Sequence, residues 1–455
     1  MNPMVDRADP LNQVLGARQR ILRELPPAEP AVYRRLKRYT SLWCRRHLKP
    51  IRADADMSIE AWLPKTHYPE WRKKQLMRAY ESSILRPDSR AALKKLYGVK
   101  AHIKAETYPT YKHSRWILAR SDYAKCMFGP MCKLMEEEIF QLPMFVKHIP
   151  IADRPSYISE RLGAAGPFYE TDYTAFESHF IAPLMNACEM VVYKYLLANF
   201  PREYNLFHRV LTGVNKPRTT KVSLTCRARR MSGEMNTSMG NGLSNAIIAE
   251  FIAFEKGGSI TGVFEGDDGL FVSHNCELTP EDYKKVGLTI KFDKVFDFGE
   301  ASFCGFTADP TELQTISDPY RRLPYLGWTL SPRRFGGVKV LEGLLKSKMM
   351  SLGCELPQCP IYWALSKTIV NHLSKVKRIS DWNYWEQEKL ASEPVFNPRE
   401  PGPLTRNLYA IKYGVSVDHQ LTVEKYLLHR KDPCAPLPHW ILPDWASKRP
   451  QCLDY

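Results

Sequence analysis

The run Thr261-Gly262-Val263-Phe264-Glu265-Gly266-Asp267-Asp268-Gly269-Leu270-Phe271-Val272 constrains the fold more than any other stretch of the chain. Val263, Phe264, Leu270, Phe271 and Val272 favour strand. Gly266 and Gly269 bracket two aspartates, as a tight hairpin turn requires. The expectation is two short strands with an acidic tip. Adjacent carboxylates on a stiff element repel each other unless a cation lies between them or one takes a proton. Mg2+ prefers hard oxygen ligands and usually takes one or two carboxylates together with substrate phosphates. A plain polar turn uses the same residues, and average residue usage yields a Gly-Asp-Asp triplet in about one chain in ten of this length. The triplet therefore carries weight only if the chain also supplies a third carboxylate, a nucleotide pocket and a basic channel.

The charge balance supports such a channel. Across 455 residues, 65 Lys and Arg face 49 Asp and Glu, a net charge of +16. A surplus of that size points to a polyanionic partner, nucleic acid before membrane. The length suits one large domain or roughly two to three ordinary ones. Apolar residues at 44% are enough for a sizeable core. No uninterrupted apolar run reaches membrane-spanning length, and no secretory signal opens the chain. The eleven cysteines show no Cys-x-x-Cys spacing, so they read as reduced, mostly buried thiols.

From the N-terminus, Pro26, Pro27 and Pro30 end any helix begun near Leu15. Arg34, Arg35, Lys37, Arg38, Arg45 and Arg46 then interleave with Tyr33, Tyr39 and Trp43. That texture fits a nucleic-acid surface or a solvated amphipathic helix. Residues 59–100 read as helical. Residues 102–106 and 114–120 read as strands, and Lys104, Arg115 and Arg120 on them, with Lys112 between them, can line a basic track that grips triphosphates. A surface hairpin with solvated charges would look the same. Residues 123–147 read as helix and Phe168–Tyr173 as strand. Asp172 stands near that strand's end, Glu177 follows after a turn, and a long amphipathic helix is expected from about Pro183 to Asn199.

Between Glu203 and Glu234 no acid occurs, while Arg209, Lys216, Arg218, Lys221, Arg227, Arg229 and Arg230 do. This is the strongest local basic patch. It leads into a loop at Ser232-Gly233 and a helix expected to run to about Lys256, stopped by Gly257-Gly258. Thr237 and Asn241 are four apart and share one face near its N-terminus. A hydroxyl and an amide there can read a sugar hydroxyl, although an ordinary capped helix start uses the same residues. Thr279-Pro280-Glu281-Asp282 opens a short helix that Gly287 ends. Leu288-Thr289-Ile290-Lys291-Phe292 alternates as a strand. Beyond about residue 307 the chain turns basic and helical, with a Pro-rich loop at 394–403 before a C-terminal tail.

Asp172 on one strand and Asp267 and Asp268 on the hairpin make a site for two Mg2+ (or Mn2+) ions, about 3.5–4 Å apart, if the two elements are neighbours. One ion would activate a 3′-hydroxyl and the other would hold a triphosphate. The set Asp172-x4-Glu177, Ser232-Gly233-x3-Thr237-x3-Asn241 and Gly266-Asp267-Asp268 resembles the palm of RNA-dependent RNA polymerases of positive-strand RNA viruses. Lys104-x-Glu106 with Arg115 and Arg120 resembles the motif lining that family's nucleotide tunnel. Residues 287–291 and Phe303-Cys304-Gly305 resemble its next two palm motifs, most like the tombusvirus-like and nodavirus-like groups.

The resemblance covers about residues 102–306 and implies an α+β right hand. A basic N-terminal extension over 1–49 would precede fingers over 50–165 and 200–230. The palm would span 166–306, interrupted by that finger insertion, and the thumb and tail 307–455. It further implies that Asp172 and Asp267 bind both metals with Asp268 assisting. Ser232, Thr237 and Asn241, with Glu177, would recognise ribose and template. Lys104, Arg115 and Arg120 would hold the triphosphate, and Lys291 would be the general acid, with Lys294 the alternative. The family usually has Asp where this chain has Glu177, which bears on sugar selection. The implied partners are an RNA template and product, ribonucleoside triphosphates and a membrane-anchoring replication protein at host cytoplasmic membranes. Initiation is expected to be de novo. A reverse transcriptase would share the metal acids but usually places an aromatic residue before the paired aspartates. A non-catalytic RNA-binding protein would not need three intact acids.

Overall fold

Two four-stranded sheets and a two-stranded ribbon organise residues 5–66, 68–81, 90–106, 112–329, 331–379 and 396–443, which the computed structural model describes. The strands are β1 (Gly98–Ile103), β2 (Trp116–Arg120), β3 (Ala165–Tyr173), β4 (Val214–Arg218), β5 (Cys226–Arg227), β6 (Ser259–Glu265), β7 (Asp268–His274), β8 (Ile290–Asp297), β9 (Thr307–Ala308) and β10 (Thr315–Ile316). The sheet orders are β2-β1-β4-β5, β6-β7-β3-β8 and β10-β9. The chain packs as two units, Met1–His148 with Pro167–Lys294, and Ile149–Gly166 with Val295–Tyr455. The described part is thus mixed α and β with mainly antiparallel sheets. Expected features at 108–111, 394–395 and 444–455 lie outside the described residues.

In the first unit, β6 and β7 form the expected hairpin, paired from Ser259 opposite His274 to Glu265 opposite Asp268. Only Gly266 and Asp267 are left to turn the chain. Gly266 has φ +64°, the left-handed backbone that a two-residue hairpin turn demands at its first position. β3 pairs antiparallel with β7, Thr171 opposite Gly269. On one face of this sheet Tyr169 stacks on Phe271 at 5.2 Å, and Phe292 of β8 meets both rings edge-on. The helix Thr237–Glu255 backs the sheet and is buried along almost its whole length. Its Leu243, Ile247, Ile248 and Phe251 join Leu184, Val192 and Leu196 in the main core. Each such side chain contributes about 1.5–3 kcal/mol by leaving water. This is the rigid backing on which the acidic tip stands.

Several local expectations change. The segment 59–100 is broken into helices Ile59–Trp62, Glu70–Glu81 and Arg90–Tyr97, and β1 begins already at Gly98. The helix expected over 123–147 spans Asp122–Ile139 and stops short of Pro143, which lacks the N–H that a helix needs. The helix expected from Pro183 is two, Ala182–Ala187 and Glu189–Leu196, because Cys188 leaves helical geometry at ψ −99°. The basic segment near the N-terminus is an amphipathic helix, Pro30–His47, burying Val32, Leu36, Thr40, Trp43 and Cys44. Its arginines and lysines face solvent, and Arg35 pairs with Glu255 at 2.7 Å.

The second unit has its own core, in which Ile316, Leu352, Trp363, Tyr409 and Val423 are buried. Helices Val338–Glu355, Tyr362–His372, Pro403–Tyr413 and Val417–His429 surround it. Glu424 holds it together: its carboxylate pairs with the buried Arg406 at 2.8 Å and accepts from the Ile361 N–H at 2.9 Å. Residues 149–166 and 295–306 belong to this second unit. The ten described cysteines are free thiols, seven of them buried. Among the described residues no helix is long and apolar enough to cross a membrane.

Candidate active site

Three carboxylates meet at one end of the sheet β6-β7-β3-β8. Thr171 and Gly269 are the last paired residues of β3 and β7, so Asp172 and Asp268 stand side by side one position further on. Asp267 sits beside them in the turn. The tip is fixed through its backbone. Asn245 of the backing helix donates from Nδ2 to the Asp267 carbonyl at 3.0 Å and accepts from the Tyr173 hydroxyl at 3.0 Å. The Thr171 hydroxyl donates to the Gly269 carbonyl at 3.2 Å. Water reaches the Asp267 side chain, yet the surrounding protein displaces enough solvent to raise its pKa, and the Glu177 carboxylate raises it further. The positive charges of Arg115 and Arg20 act against that rise. Desolvation is the larger cause of the rise and Glu177 the second, so the Asp267 carboxylate is less stable as an anion than a free one.

Glu177 lies in the short 3-10 turn Phe176–His179, entered through Ala175 at φ +56°. Asn241 points its Nδ2 at Glu177 Oε1, 3.5 Å away. Asn241 is buried, and its Oδ1 has no hydrogen-bond partner among the described residues. A buried acceptor without a donor costs about 1–3 kcal/mol. His179 ties the turn to the start of β8. Its Nε2 accepts from the Thr289 N–H at 3.0 Å, which leaves Nδ1 to carry the proton and donate to the Phe176 carbonyl at 3.2 Å. Burial pushes this imidazole down to about 4, so it is neutral near pH 7.

The basic residues divide into two kinds. Lys104 and Arg115 stand at the loop end of the β1/β2 hairpin, both partly exposed and both paired with Glu106, at 2.6 and 3.5 Å. Arg115 is close enough to act on Asp267. Arg120 is buried. Its guanidinium bonds Glu234, the Leu96 carbonyl at 2.9 Å and Asn215 Oδ1 at 2.8 Å. The expectation that it grips triphosphate is corrected here, since all three of its nitrogens are committed inside the protein.

In the basic patch before Ser232, Arg209, Lys216, Arg218, Lys221 and Arg227 are exposed, whereas its last member is committed inside the protein. Arg230 is fully buried against Glu189 at 2.8 Å, with its guanidinium over the Phe180 ring at 3.9 Å. Gly240 must be glycine at this place, because a Cβ would collide with Arg230 Nη1 and Glu189 Oε2. The Arg230 and Arg229 N–H groups donate to the carbonyls of Glu177 and Phe180. Arg229 and Arg230 thus position the Glu177 turn by their backbone.

Ser232 and Thr237 hold the frame as well. The Ser232 hydroxyl donates to the Trp116 carbonyl and accepts from the Leu118 N–H, both at 3.2 Å. The Gly233 N–H donates to the Leu118 carbonyl at 2.8 Å. Thr237 donates to the Met231 carbonyl at 3.1 Å. The Ser232 hydroxyl thus fixes the loop against β2, and the Thr237 hydroxyl ties the loop to the start of the backing helix.

Lys291 and Lys294 separate cleanly. The Thr174 N–H donates to the Thr289 carbonyl, and Lys294 lies over the Tyr169 ring at 5.6 Å. β3 and β8 therefore run antiparallel, and interpolation between these contacts places Lys291 alongside Asp172. Side chains alternate along a strand. Phe292 and Lys294 share the Tyr169 face, whereas Lys291 and Asp172 share the other. Lys294 is also held by Glu277 at 2.7 Å.

Asn245, Tyr173 and His179 escaped the sequence reading. Asn245 had a signal, since it continues the Thr237, Asn241 spacing by one more turn. A family model described as RNA-dependent RNA polymerase matches residues 20–347 of the chain. No curated protein matches it.

Proposed function

The chain belongs to the RNA-dependent RNA polymerase family and is an RNA-directed RNA polymerase, a nucleotidyltransferase; from that premise we propose that the end of the β6-β7-β3-β8 sheet is its catalytic centre. The observation that carries this reading is the meeting of Asp172, Asp267 and Asp268 beside Glu177 and the unpartnered Asn241 Oδ1. The family uses divalent metal. The donors fit Mg2+ or Mn2+: three hard carboxylates on rigid neighbouring strands. Asp172 and Asp267 would hold two ions, with Asp268 assisting. Metal bound there supplies a Lewis acid for a 3′-hydroxyl and countercharge for a triphosphate.

The protein's own groups do the rest. Asn241 and Glu177 receive the ribose hydroxyls of the incoming ribonucleotide, which satisfies the orphan Oδ1. Lys104 and Arg115 hold its triphosphate. The 3′-oxygen of the growing RNA loses its proton and attacks the α-phosphorus, and the bond to pyrophosphate breaks. Lys291, on the Asp172 face, gives a proton to the departing pyrophosphate. Pairing with the RNA template selects the nucleotide. The product is a complementary strand, in the setting of viral genome replication and transcription by a tombusvirus-like or nodavirus-like polymerase. Initiation is de novo, and a separate anchoring protein holds the enzyme at host cytoplasmic membranes.

The test is ribonucleotide incorporation on a short RNA template with Mg2+ or Mn2+, comparing the native chain with Asp267→Ala. Loss of incorporation with RNA binding retained is expected. Activity that survives in Asp267→Ala overturns this placement of the centre, and a preference for deoxyribonucleotides would favour reverse transcription.

A further inference from the structure

The polypeptide that precedes the first sheet runs past the acidic site. The helix Pro10–Arg20 lies on β2. The Ser114 hydroxyl donates to the Asn12 carbonyl at 2.6 Å, Trp116 Nε1 to the Gln13 carbonyl at 3.0 Å, and the Thr219 hydroxyl to Gln13 Oε1 at 2.6 Å. Gly16 has no room for a Cβ against Ser114 and Trp116. Ala17 and Ile21 are buried with Trp116, Leu118 and Met231, so the helix ends beside the Met231-Ser232 loop.

The chain is caught again at the other side of the site. Pro26, Ala28 and Tyr33 close around Gly287, and the Tyr33 hydroxyl donates to the Val286 carbonyl at 3.2 Å. Residues 287–289 lead directly to the Thr289 contacts with Thr174 and His179. Between Ile21 and Pro26 the chain spans at most about 17 Å. It must therefore cross between the β2 side and the β3–β8 junction, next to the acids.

Arg20 and Arg23 lie at and just inside the start of this crossing, and both are only partly exposed. The charge of Arg20 acts on Asp267 together with that of Arg115, and the charge of Arg23 acts on His179 together with that of Arg229. An element pinned at both ends thus brings Arg20 near Asp267 and Arg23 near the His179 turn, beside a site whose proposed substrate carries about four negative charges. Arginine suits such a substrate because its fork matches phosphate oxygens in pairs.

We infer that Arg20 and Arg23 form, with Arg115, the wall that binds the triphosphate of the incoming ribonucleotide. This rests on the reading of the Asp267 hairpin as the catalytic centre. The N-terminal helix is then part of the substrate site as well as a support for the sheet.

The experiment uses the full chain with Arg20→Ala, Arg23→Ala, the double variant, and Arg18→Ala as the control that removes the same charge from the exposed side of the same helix. Incorporation kinetics and binding of a fluorescent ribonucleoside triphosphate are measured, each against the corresponding nucleoside, with RNA affinity and thermal unfolding alongside. The expected result is about a tenfold rise in nucleotide KM for each variant, with kcat, RNA affinity and unfolding temperature little changed. Nucleoside binding and Arg18→Ala stay within about twofold, and Arg20→Lys recovers part of the loss because it keeps the charge but not the fork. Unchanged KM in the double variant overturns the inference. So does a loss confined to RNA affinity, or a fall in unfolding temperature that accounts for the whole effect. Retained activity in Asp267→Ala would instead overturn the reading beneath it.

Discussion

Lowering the pH should loosen the Glu177 turn through one residue, His179. Its imidazole is 1% exposed and accepts from the Thr289 N–H through Nε2. Protonation would remove that acceptor and put a charge where water does not reach. Burial accordingly drives its pKa from 6.5 to about 4. The unfolded imidazole takes up a proton below pH 6.5, while the buried one does not until about pH 4. The unfolded state thus gains protons in this window, and stability falls as pH falls. Above pH 6.5 both forms are neutral and nothing is lost. Each pH unit is worth about 1.4 kcal/mol, so the loss is about 2 kcal/mol at pH 5 and about 3 kcal/mol below pH 4. Hydrogen exchange at the Thr289 amide, corrected for its intrinsic pH dependence, reads this locally. That suits a chain of two packing units, whose global unfolding need not be two-state. Protection should drop between pH 7 and pH 5 in the native chain. In His179→Gln, whose side-chain oxygen can still accept from Thr289, most of that drop should disappear. An equal drop in both proteins would refute the assignment, since other titrating groups would then carry it.

Arg230→Met should destabilise the first unit by about 3–5 kcal/mol, because it strands the Glu189 carboxylate in the core. Arg230→Met with Glu189→Leu should recover most of that, and additive losses in a denaturant double-mutant cycle would contradict a coupled pair. Arg120→Ala should lower the unfolding temperature and kcat, because Glu234 and Asn215 lose their shared partner, and Arg120→Lys should not rescue it. A rise in nucleotide KM with unchanged stability would return Arg120 to the substrate. Glu177→Asp should keep RNA synthesis while changing the ratio of ribo- to deoxyribonucleotide incorporation, because the shorter side chain withdraws from Asn241. Complete loss of activity would refute its assignment to sugar recognition.

What could be read from the sequence was what local chemistry determines. The Gly266-Asp267 turn announces itself because a two-residue hairpin needs left-handed backbone and glycine supplies it. The strand ending in Asp172 and the helix following Ser232-Gly233 are marked by periodicity and by the stop at Gly257. The fate of the arginines is not local. Arg120 meets Glu234 across 114 positions and Asn215 across 95, and nothing in its neighbourhood distinguishes a buried arginine from one that waits for phosphate. Arg230 sits in an acid-free interval that reads as a solvated patch, yet Glu189 reaches it from the helix that begins just after the break at Cys188. The same break explains the missed split of that helix, since the turn that delivers Glu189 interrupts an otherwise regular apolar pattern. The packing of 149–166 with the segment after Val295 joins stretches far apart in the chain, and no short-range pattern encodes it.

These long-range ties explain how a site assembled from distant segments keeps its geometry. Asp172 is placed by strand pairing and Asp267 by Asn245, while Glu177 is placed by the backbone of Arg229 and Arg230 and by His179. Every one of these placements uses a buried polar group or a backbone bond, and none uses the carboxylates themselves. The Asp267 side chain is left exposed at the tip, with a pKa that desolvation and the Glu177 carboxylate raise. Pairing Arg230 with Glu189 and Arg120 with Glu234, and keeping His179 neutral, sets these buried structural groups apart from the exposed Asp267 at the tip. By this logic, replacing a supporting residue should change stability before it changes nucleotide affinity, and replacing a carboxylate at the tip should do the reverse.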